Sequence, residues 1–96
     1  MNGGGEIIFD RAAAPHLHEG VLLFPATLDG RPLRTGIATN ALLRIWADAP
    51  ATVDFSRLRA FSPIIRSARA LVADKFGRDG VDERGEVIVG EDDLPS

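Results

Sequence analysis

Two apolar runs separated by Asp29-Gly30 dominate the hydrophobic pattern of this chain. Residues 20–28 and 31–38 flank the dipeptide. This pattern predicts a two-residue type I′ β-hairpin, because both turn residues need a positive φ and Asp-Gly tolerates it. The register pairs Leu28 with Arg31, and further out Ala26 with Leu33, Phe24 with Thr35 and Leu22 with Ile37. The expected core face consists of Leu22, Phe24, Ala26, Leu33 and Ile37.

Two prolines fit the same register. Pro25 pairs with Arg34 and Pro32 pairs with Thr27, at positions where the hairpin itself makes no hydrogen bond. Their missing N–H groups therefore face outward and cost the hairpin nothing. We expect a neighbouring strand to be interrupted opposite Pro25 or Pro32.

Two helical segments are predicted after the hairpin. Thr39 is a candidate N-cap for a helix that reaches Trp46 and ends by Ala49-Pro50. Another helical stretch starts near Asp54, and Pro63 then forces either a kink or a restart with Ser62 as the cap. A 3.6-residue apolar stripe follows, with Gly77 as the expected C-cap. The stripe consists of Phe61, Ile64, Ile65, Ala68, Leu71, Val72 and Phe76.

Short strands are predicted on both sides of this central region. Residues 6–10 and 86–90 are apolar enough for strands, whereas 11–19 is expected to be a connector. Residues 1–96 then make one α+β domain with two layers, in the order β-β-β-α-α-β. We expect an antiparallel sheet with the helices packed on one face, and flexible ends at 1–5 and 91–96.

Composition excludes several classes of protein. The chain is 45% hydrophobic and 26% charged, which is ordinary for a globular domain. It has no cysteine, so disulfides, thiolate zinc sites and thiol catalysis are excluded. Its longest apolar run, 20–28, is far too short to cross a membrane. The start of the sequence lacks a basic segment followed by an apolar one, so we expect a cytoplasmic protein. No cofactor motif is present.

Arginines on the long helix form one candidate site. Arg66 and Arg69 are predicted on its outward face, joined by Arg59 if the helix passes through Pro63. Three interpretations stay open: a solvated face, pairing with the acidic tail of the same or a neighbouring chain, and a contact to phosphate or nucleic acid. The net charge of −3 argues against general nucleic-acid binding.

The histidines and the adjacent acids of the tail are weaker candidates for chemistry. His16 and His18 point the same way in an extended segment and could meet one metal ion, for which Asp10 and Glu19 are the only local candidates as a third ligand. Asp92-Asp93 is adjacent to a terminus and is not expected to hold catalytic geometry.

An apolar second face of the hairpin is the main functional indication. Val21, Leu23 and Pro25 lie on the side opposite the predicted core face. Trp46, at the end of the first helix, is either a partner-facing anchor or a lid on the edge of the core. If the helices cover the core face, the second face needs a protein partner, and another copy of the chain is the first choice.

The order of features resembles a bacterial family of short single-domain proteins, domain-of-unknown-function family 1488. The resemblance covers about residues 6–94 and is carried by short matching pieces. They are 21–25, 28–31, Ile37 with 40–42, 60–61, 75–76 and 85–89 leading to Asp93-Leu94. It implies a fold and a bacterial origin, and no catalytic or binding residues.

Three functional hypotheses follow from the sequence. The leading one is a non-enzymatic module that binds protein, a second copy of itself first. The second is a regulatory nucleic-acid-binding protein that uses Arg59, Arg66 and Arg69. The third is a metal-dependent enzyme built around His16 and His18.

Overall fold

The computed structural model describes residues 5–95. Most of the leader expected to be flexible, residues 1–4, lies outside this range, as does Ser96. The strands are β1 Ile7–Phe9, β2 His16–His18, β3 Val21–Leu28, β4 Arg31–Ala38 and β5 Glu86–Val89. The helices are α1 Thr39–Ile45 and α2 Pro63–Asp79, with short 3-10 turns at Phe55–Arg57 and Glu91–Asp93. The chain is therefore α+β, as the sequence predicts.

The central hairpin has the predicted register. Leu28 pairs with Arg31, and the pairing continues without a slip to Val21 and Ala38. Asp29 and Gly30 have φ values of 54° and 80°. Both turn residues are thus in the left-handed region that a type I′ turn requires. Leu22, Phe24, Leu33 and Ile37 are buried on the predicted core face, and Ala26 is half-buried.

The prolines interrupt the neighbouring strands where the register predicts. On the outer side of β3, β1 ends opposite Ala26 and β2 begins opposite Leu23, so the gap spans Pro25. Within this gap the N–H of Asp10 donates to the carbonyl of Pro25 at 2.9 Å. On the outer side of β4, pairing with β5 begins only at Arg34, beyond Pro32.

The sheet is mixed, which corrects the expectation of an antiparallel sheet. Its order is β1-β3-β4-β5, with β2 also paired to β3, and β5 runs parallel to β4. Both helices lie between β4 and β5 in the chain. They form a crossover that returns the chain to the same end of the sheet, and a strand that follows such a crossover runs parallel to its neighbour.

β2 was not expected, since residues 11–19 were predicted to form a connector. The residues between β2 and β3 are Glu19 and Gly20, with φ values of 50° and 78°. These values resemble those of the Asp29-Gly30 turn, so β2 and β3 form a second tight hairpin. The prediction failed because glutamate is a poor turn residue at positive φ.

The helix boundaries differ in part from the prediction. Ser62 is the N-cap of α2 with Pro63 at its start, which is the second of the two predicted alternatives, and Asp54 caps only the 3-10 turn that follows it. Thr39 is not a cap, since Ala38 holds that position without a side-chain bond. Gly77 lies inside α2, and the helix ends instead at Gly80, where φ is 69°.

One core lies between the helices and one face of the sheet. Its helical members are Ala41, Leu42, Ile64, Ile65, Ala68 and Val72, and its sheet members include Val87 and Val89 of β5. Phe61 was expected in this stripe but is 70% exposed. It precedes the first residue of α2, so the helical phase that buries Ile64 and Ile65 does not extend to it.

Candidate functional site

The second face of the hairpin is not covered by a helix among the described residues. Alternate residues of a strand point to opposite faces, and the buried core takes Leu22, Phe24 and Ile37 together with both helices. The opposite face of β3 and β4 forms what we call the open face. Its residues are Val21, Leu23, Pro25, Thr27, Pro32, Arg34, Gly36 and Ala38.

One half of the open face is apolar. Ile8 of β1 pairs with Thr27, so it joins this face, and 65% of its surface is exposed. Pro25 and Pro32 are also exposed. A cavity of 470 Å³ lies along this half and is lined by Ile8, Pro25, Thr27 and Pro32 with Phe9, Asp10, Ala26 and Leu33. Ile8 was missed by the sequence reasoning, because its cross-strand partner cannot be identified without the β1–β3 register.

The other half of the open face carries charge. His16 pairs with Leu23 and His18 pairs with Val21, so these side chains share this half of the face. Next to them, Arg34 Nε lies 3.4 Å from Glu86 Oε2. A smaller cavity of 170 Å³ lies in this half, and its lining includes Val21, Leu23 and Ile88. The half-burial of Val21 and Leu23 leaves them less available to a partner than their sequence suggests.

The two histidines lie side by side, as the extended spacing predicts. Their ring centroids are 6.4 Å apart with an angle of 18° between the planes. Glu19 Oε2 lies 3.8 Å from His18 Nε2. No group of three or more His, Cys, Asp or Glu side chains with the spacing of a metal site exists in the part of the chain that the structure describes. No observation favours a metal centre here.

Trp46 lies away from the open face. It directly follows α1, is half-buried and packs against the core. Its position matches that of a side chain closing the edge of the core, which is one of the two roles considered for it from the sequence.

The outer edge of β5 is occupied by side chains and by the preceding loop. Asp82 N–H donates to the Glu86 carbonyl at 2.8 Å, and Asp82 Oδ1 accepts from the Glu86 N–H at 2.9 Å. Lys75 Nζ donates to the Ile88 carbonyl at 2.7 Å. The hydrogen bond from Glu86 is the main reason why the pKa of Asp82 is below its usual value. This edge is therefore blocked against the addition of another strand.

The segment after β5 has a defined turn, where the sequence led us to expect a flexible tail. Asp93 Oδ2 accepts from Gly90 N–H at 2.8 Å and from Lys75 Nζ at 2.8 Å. Burial of Asp93 opposes its ionisation, but these two donors outweigh burial and hold the pKa of Asp93 below its usual value. Asp93 therefore has a structural role and is engaged by a cation, whereas Asp92 is exposed.

Arg69 is buried, which corrects its predicted place on the outward face of α2. Only 4% of its surface is exposed. Arg69 follows Ile65 by four positions and precedes Val72 by three, so it lies within the buried stripe. The sequence contained this signal, but an arginine was assumed to face solvent. Its guanidinium lies 6.0 Å from the centre of the Phe24 ring.

The hydrogen bonding of Arg69 is incomplete. Nη1 donates to the carbonyl of Ala60 at 2.8 Å. Nε is buried and has no hydrogen-bond partner among the described residues. Burial lowers the pKa of Arg69, the charge of Arg11 lowers it further, and Asp10 partly opposes both.

Arg69 lines a cavity of 510 Å³ between α2 and the end of β1, which we call the arginine cavity. Its other polar lining residues are Arg11, Arg66 and Ser67, and its remaining lining consists of Phe9, Pro63, Ala70 and Ala73. Arg11 was missed by the sequence reasoning, because it lies on the β1–β2 connector far from α2 in the chain. Arg59 is exposed and precedes α2, so the three arginines predicted to share one helical face do not do so.

No helix among the described residues is long and apolar enough to cross a membrane.

The resemblance to domain-of-unknown-function family 1488 stays a prediction. Comparison of the chain with models of protein families, with curated proteins and with solved structures finds no match.

Proposed function

We propose that this chain is a cytoplasmic, non-enzymatic interaction module that associates with a second copy of itself through the open face. The observation that carries the proposal is Ile8, an apolar side chain that is 65% exposed on a sheet face that no helix within residues 5–95 covers. Exposed Pro25 and Pro32 flank it around one cavity. An antiparallel face that only meets solvent is normally polar at such positions.

A second copy is the occupant that the charges favour. The charged half of the face carries a cation and an anion together, since Arg34 lies beside Glu86. A strongly acidic or basic partner would repel one member of this pair. A copy of the same face meets it without net repulsion, which suits the self-complementary contact of a twofold dimer.

The size of the face predicts a weak dimer. Strands of eight residues span roughly 26 Å, and four neighbouring strands span roughly 19 Å, which gives a face of about 500 Å². A standard stable interface buries about 800 Å² per partner. The open face is smaller than that, so we expect a transient dimer that forms at micromolar or higher concentration.

The blocked edge of β5 supports association through the face instead of the edge. Asp82 and Lys75 already take both backbone carbonyls that β5 presents outward, those of Glu86 and Ile88. Edge-to-edge pairing of two copies at β5 would have to break these bonds.

Sedimentation velocity over a concentration series tests the proposal. The Ile8→Glu variant places a charge in the apolar half and is expected to remain monomeric at concentrations where the original chain dimerises. Phe61→Glu is the matched control, because Phe61 is 70% exposed but lies outside the open face. Phe61→Glu should dimerise like the original chain. A chain that stays monomeric at hundreds of micromolar, or equal loss of dimer in both variants, overturns the proposal.

A further inference from the structure

A buried arginine without a carboxylate partner needs a physical explanation. Isolated charges are costly to bury, and buried arginines are normally paired with an anion. Arg69 is 4% exposed, and one of its bonds goes to a neutral carbonyl, that of Ala60. Its Nε has no partner within residues 5–95. The contact with the Phe24 ring offsets only part of the cost.

Two further arginines surround the same cavity. Arg11 and Arg66 line it with Arg69, and Ser67 contributes a hydroxyl group. Arg11 is close enough to Arg69 to lower its pKa, so the two cations repel each other. A cluster of like charges around a cavity is unfavourable unless an anion occupies it.

The geometry points to the arginine cavity as a binding site for a phosphate group. Three guanidinium groups and one nearby carboxylate, that of Asp10, leave a formal excess of two positive charges. A phosphate monoester, with a charge near −2 at neutral pH, matches this excess. Guanidinium groups bind phosphate oxygens in pairs, and a hydroxyl group adds one more donor.

The site depends on side chains and not on the helix terminus. Pro63 has no N–H, and the N–H groups of Ile65 and Arg66 donate to the Ser62 carbonyl at 3.0 Å and 3.1 Å. These groups are therefore occupied within the helix. The arginine side chains supply the donors that a phosphate needs.

A phosphorylated small molecule fits better than nucleic acid. Arg69 is buried in the cavity. The phosphates of an extended nucleic-acid strand reach exposed arginines, but they do not reach an arginine in this position. A second cavity of 590 Å³ adjoins the first and shares Phe9, Arg11 and Ala73 with it. Ile7 and Phe76 make part of its lining apolar, and Glu6 also lines it. The phosphate would lie among the arginines, and an apolar body would extend along this second cavity.

Thermal unfolding and calorimetric titration with two probes test the site. Inorganic phosphate and phenyl phosphate are each added to the full chain, against sodium chloride at the same ionic strength. A ligand that binds only the folded chain raises the Tm, and above its Kd the rise grows with the logarithm of the ligand concentration. Tighter binding of phenyl phosphate identifies an organic phosphate as the ligand class, and equal binding identifies free phosphate.

Variants locate the binding. Arg66→Gln and Arg11→Gln change exposed side chains, so the fold should persist, and each is expected to weaken phosphate binding about tenfold or more. Arg59→Gln is the matched control, because Arg59 is an exposed arginine that does not line the cavity. It should bind as the original chain does. No effect of phosphate beyond that of chloride, or equal weakening in all three variants, overturns the inference.

Discussion

Lys75 Nζ lies 2.8 Å from Asp93 Oδ2, and this ion pair joins α2 to the turn that follows β5. The two side chains are only 20% and 22% exposed. The same ammonium group donates to the Ile88 carbonyl, so it contacts the strand as well as the turn. The Lys75 ammonium group therefore links three segments, which are α2, β5 and the turn after β5.

Asp93→Asn is expected to lower the free energy of unfolding by about 1–2 kcal/mol at neutral pH. The variant removes the anion from a mostly buried pair and leaves the Lys75 ammonium with poorer partners. Urea unfolding of both chains measures the difference. Asp79→Asn is the control, because Asp79 also pairs with a cation but is exposed; its Oδ2 lies 3.9 Å from Arg78 Nη2. This substitution should change the free energy of unfolding by less than about 0.5 kcal/mol. An equal effect of both substitutions would contradict a special role for Asp93.

The stabilisation by Asp93 should depend on pH at the acid end. The pKa of Asp93 is lower in the folded chain than the ordinary value of about 3.9. Such a group stabilises fully above its unfolded pKa, and the contribution is lost as the pH falls through the folded pKa. The difference between the original chain and Asp93→Asn should be constant between about pH 5 and 7 and shrink below about pH 4. A difference that does not shrink between pH 5 and pH 2 would exclude this origin.

Gly36→Ala is expected to destabilise the sheet severely, by about 3 kcal/mol or more. A Cβ at Gly36 would lie 2.5 Å from the Leu22 carbonyl oxygen, which is backbone and cannot move aside alone. Gly77→Ala is the control, since a Cβ there meets nothing within 4 Å and Gly77 is inside α2. It should stabilise the chain by about 0.5–1 kcal/mol. Chemical denaturation compares the two, and a tolerated Gly36→Ala would contradict the close approach of the strands.

Glu19→Asn is expected to stabilise the chain by roughly 0.5–1 kcal/mol. Glu19 has a φ of 50°, a region in which asparagine costs less than glutamate, and Asn-Gly is the favoured type I′ pair. Asp29→Asn at the equivalent position of the other hairpin is the control and should change little, because aspartate already suits this turn. The Tm of each variant provides the measurement. A destabilised Glu19→Asn would show that Glu19 does more than form the turn.

Asp82→Ala should open the outer edge of β5. The variant removes the acceptor of the Glu86 and Arg84 N–H groups. We expect faster hydrogen exchange at the Glu86 amide and faster aggregation on heating, because a bare edge recruits other strands. Asp74→Ala, on the exposed side of α2, should leave both rates unchanged. Unaltered exchange at Glu86 in Asp82→Ala would mean that the loop does not protect the edge.

The hairpin was predictable because its signals are local and agree with one another. Asp29-Gly30 determines the turn, and the alternation of side chains along each strand determines the two faces. Pro25 and Pro32 independently mark the positions that have no backbone N–H to donate. A break in the helical segment at Pro63 was predictable from the proline ring alone, but the sequence left a kink and a restart open, and the structure has the restart.

The direction of β5 depends on contacts that sequence patterns do not encode. Glu86–Val89 has the composition of a strand, but its orientation is set by how α1 and α2 pack on the core between β4 and β5. The three-residue strand β2 was missed because Glu19-Gly20 is a weak turn signal.

The arginine cavity could not be predicted from the sequence for two reasons. Its lining residues come from distant segments, and one of them is an arginine at a buried position, where arginines are rarely found. Arg69 occupies a helical position that the stripe assigns to the core, and the rule that arginines face solvent overrode the periodicity. Arg11 comes from a connector more than fifty positions earlier. Ile8 likewise reaches the open face only through its pairing with Thr27.

The parallel pairing of β5 has a consequence for the order in which the chain can fold during its synthesis. Arg34 meets Glu86, so about half of the sequence must be translated between the two partners. Until residue 89 has emerged, β4 presents an unpaired row of backbone groups, and the core lacks Val87 and Val89. The nascent protein therefore passes through a stage in which the outer edge of β4 is unpaired and prone to aggregation. A chaperone that shields β4 at that stage would raise the yield of native molecules.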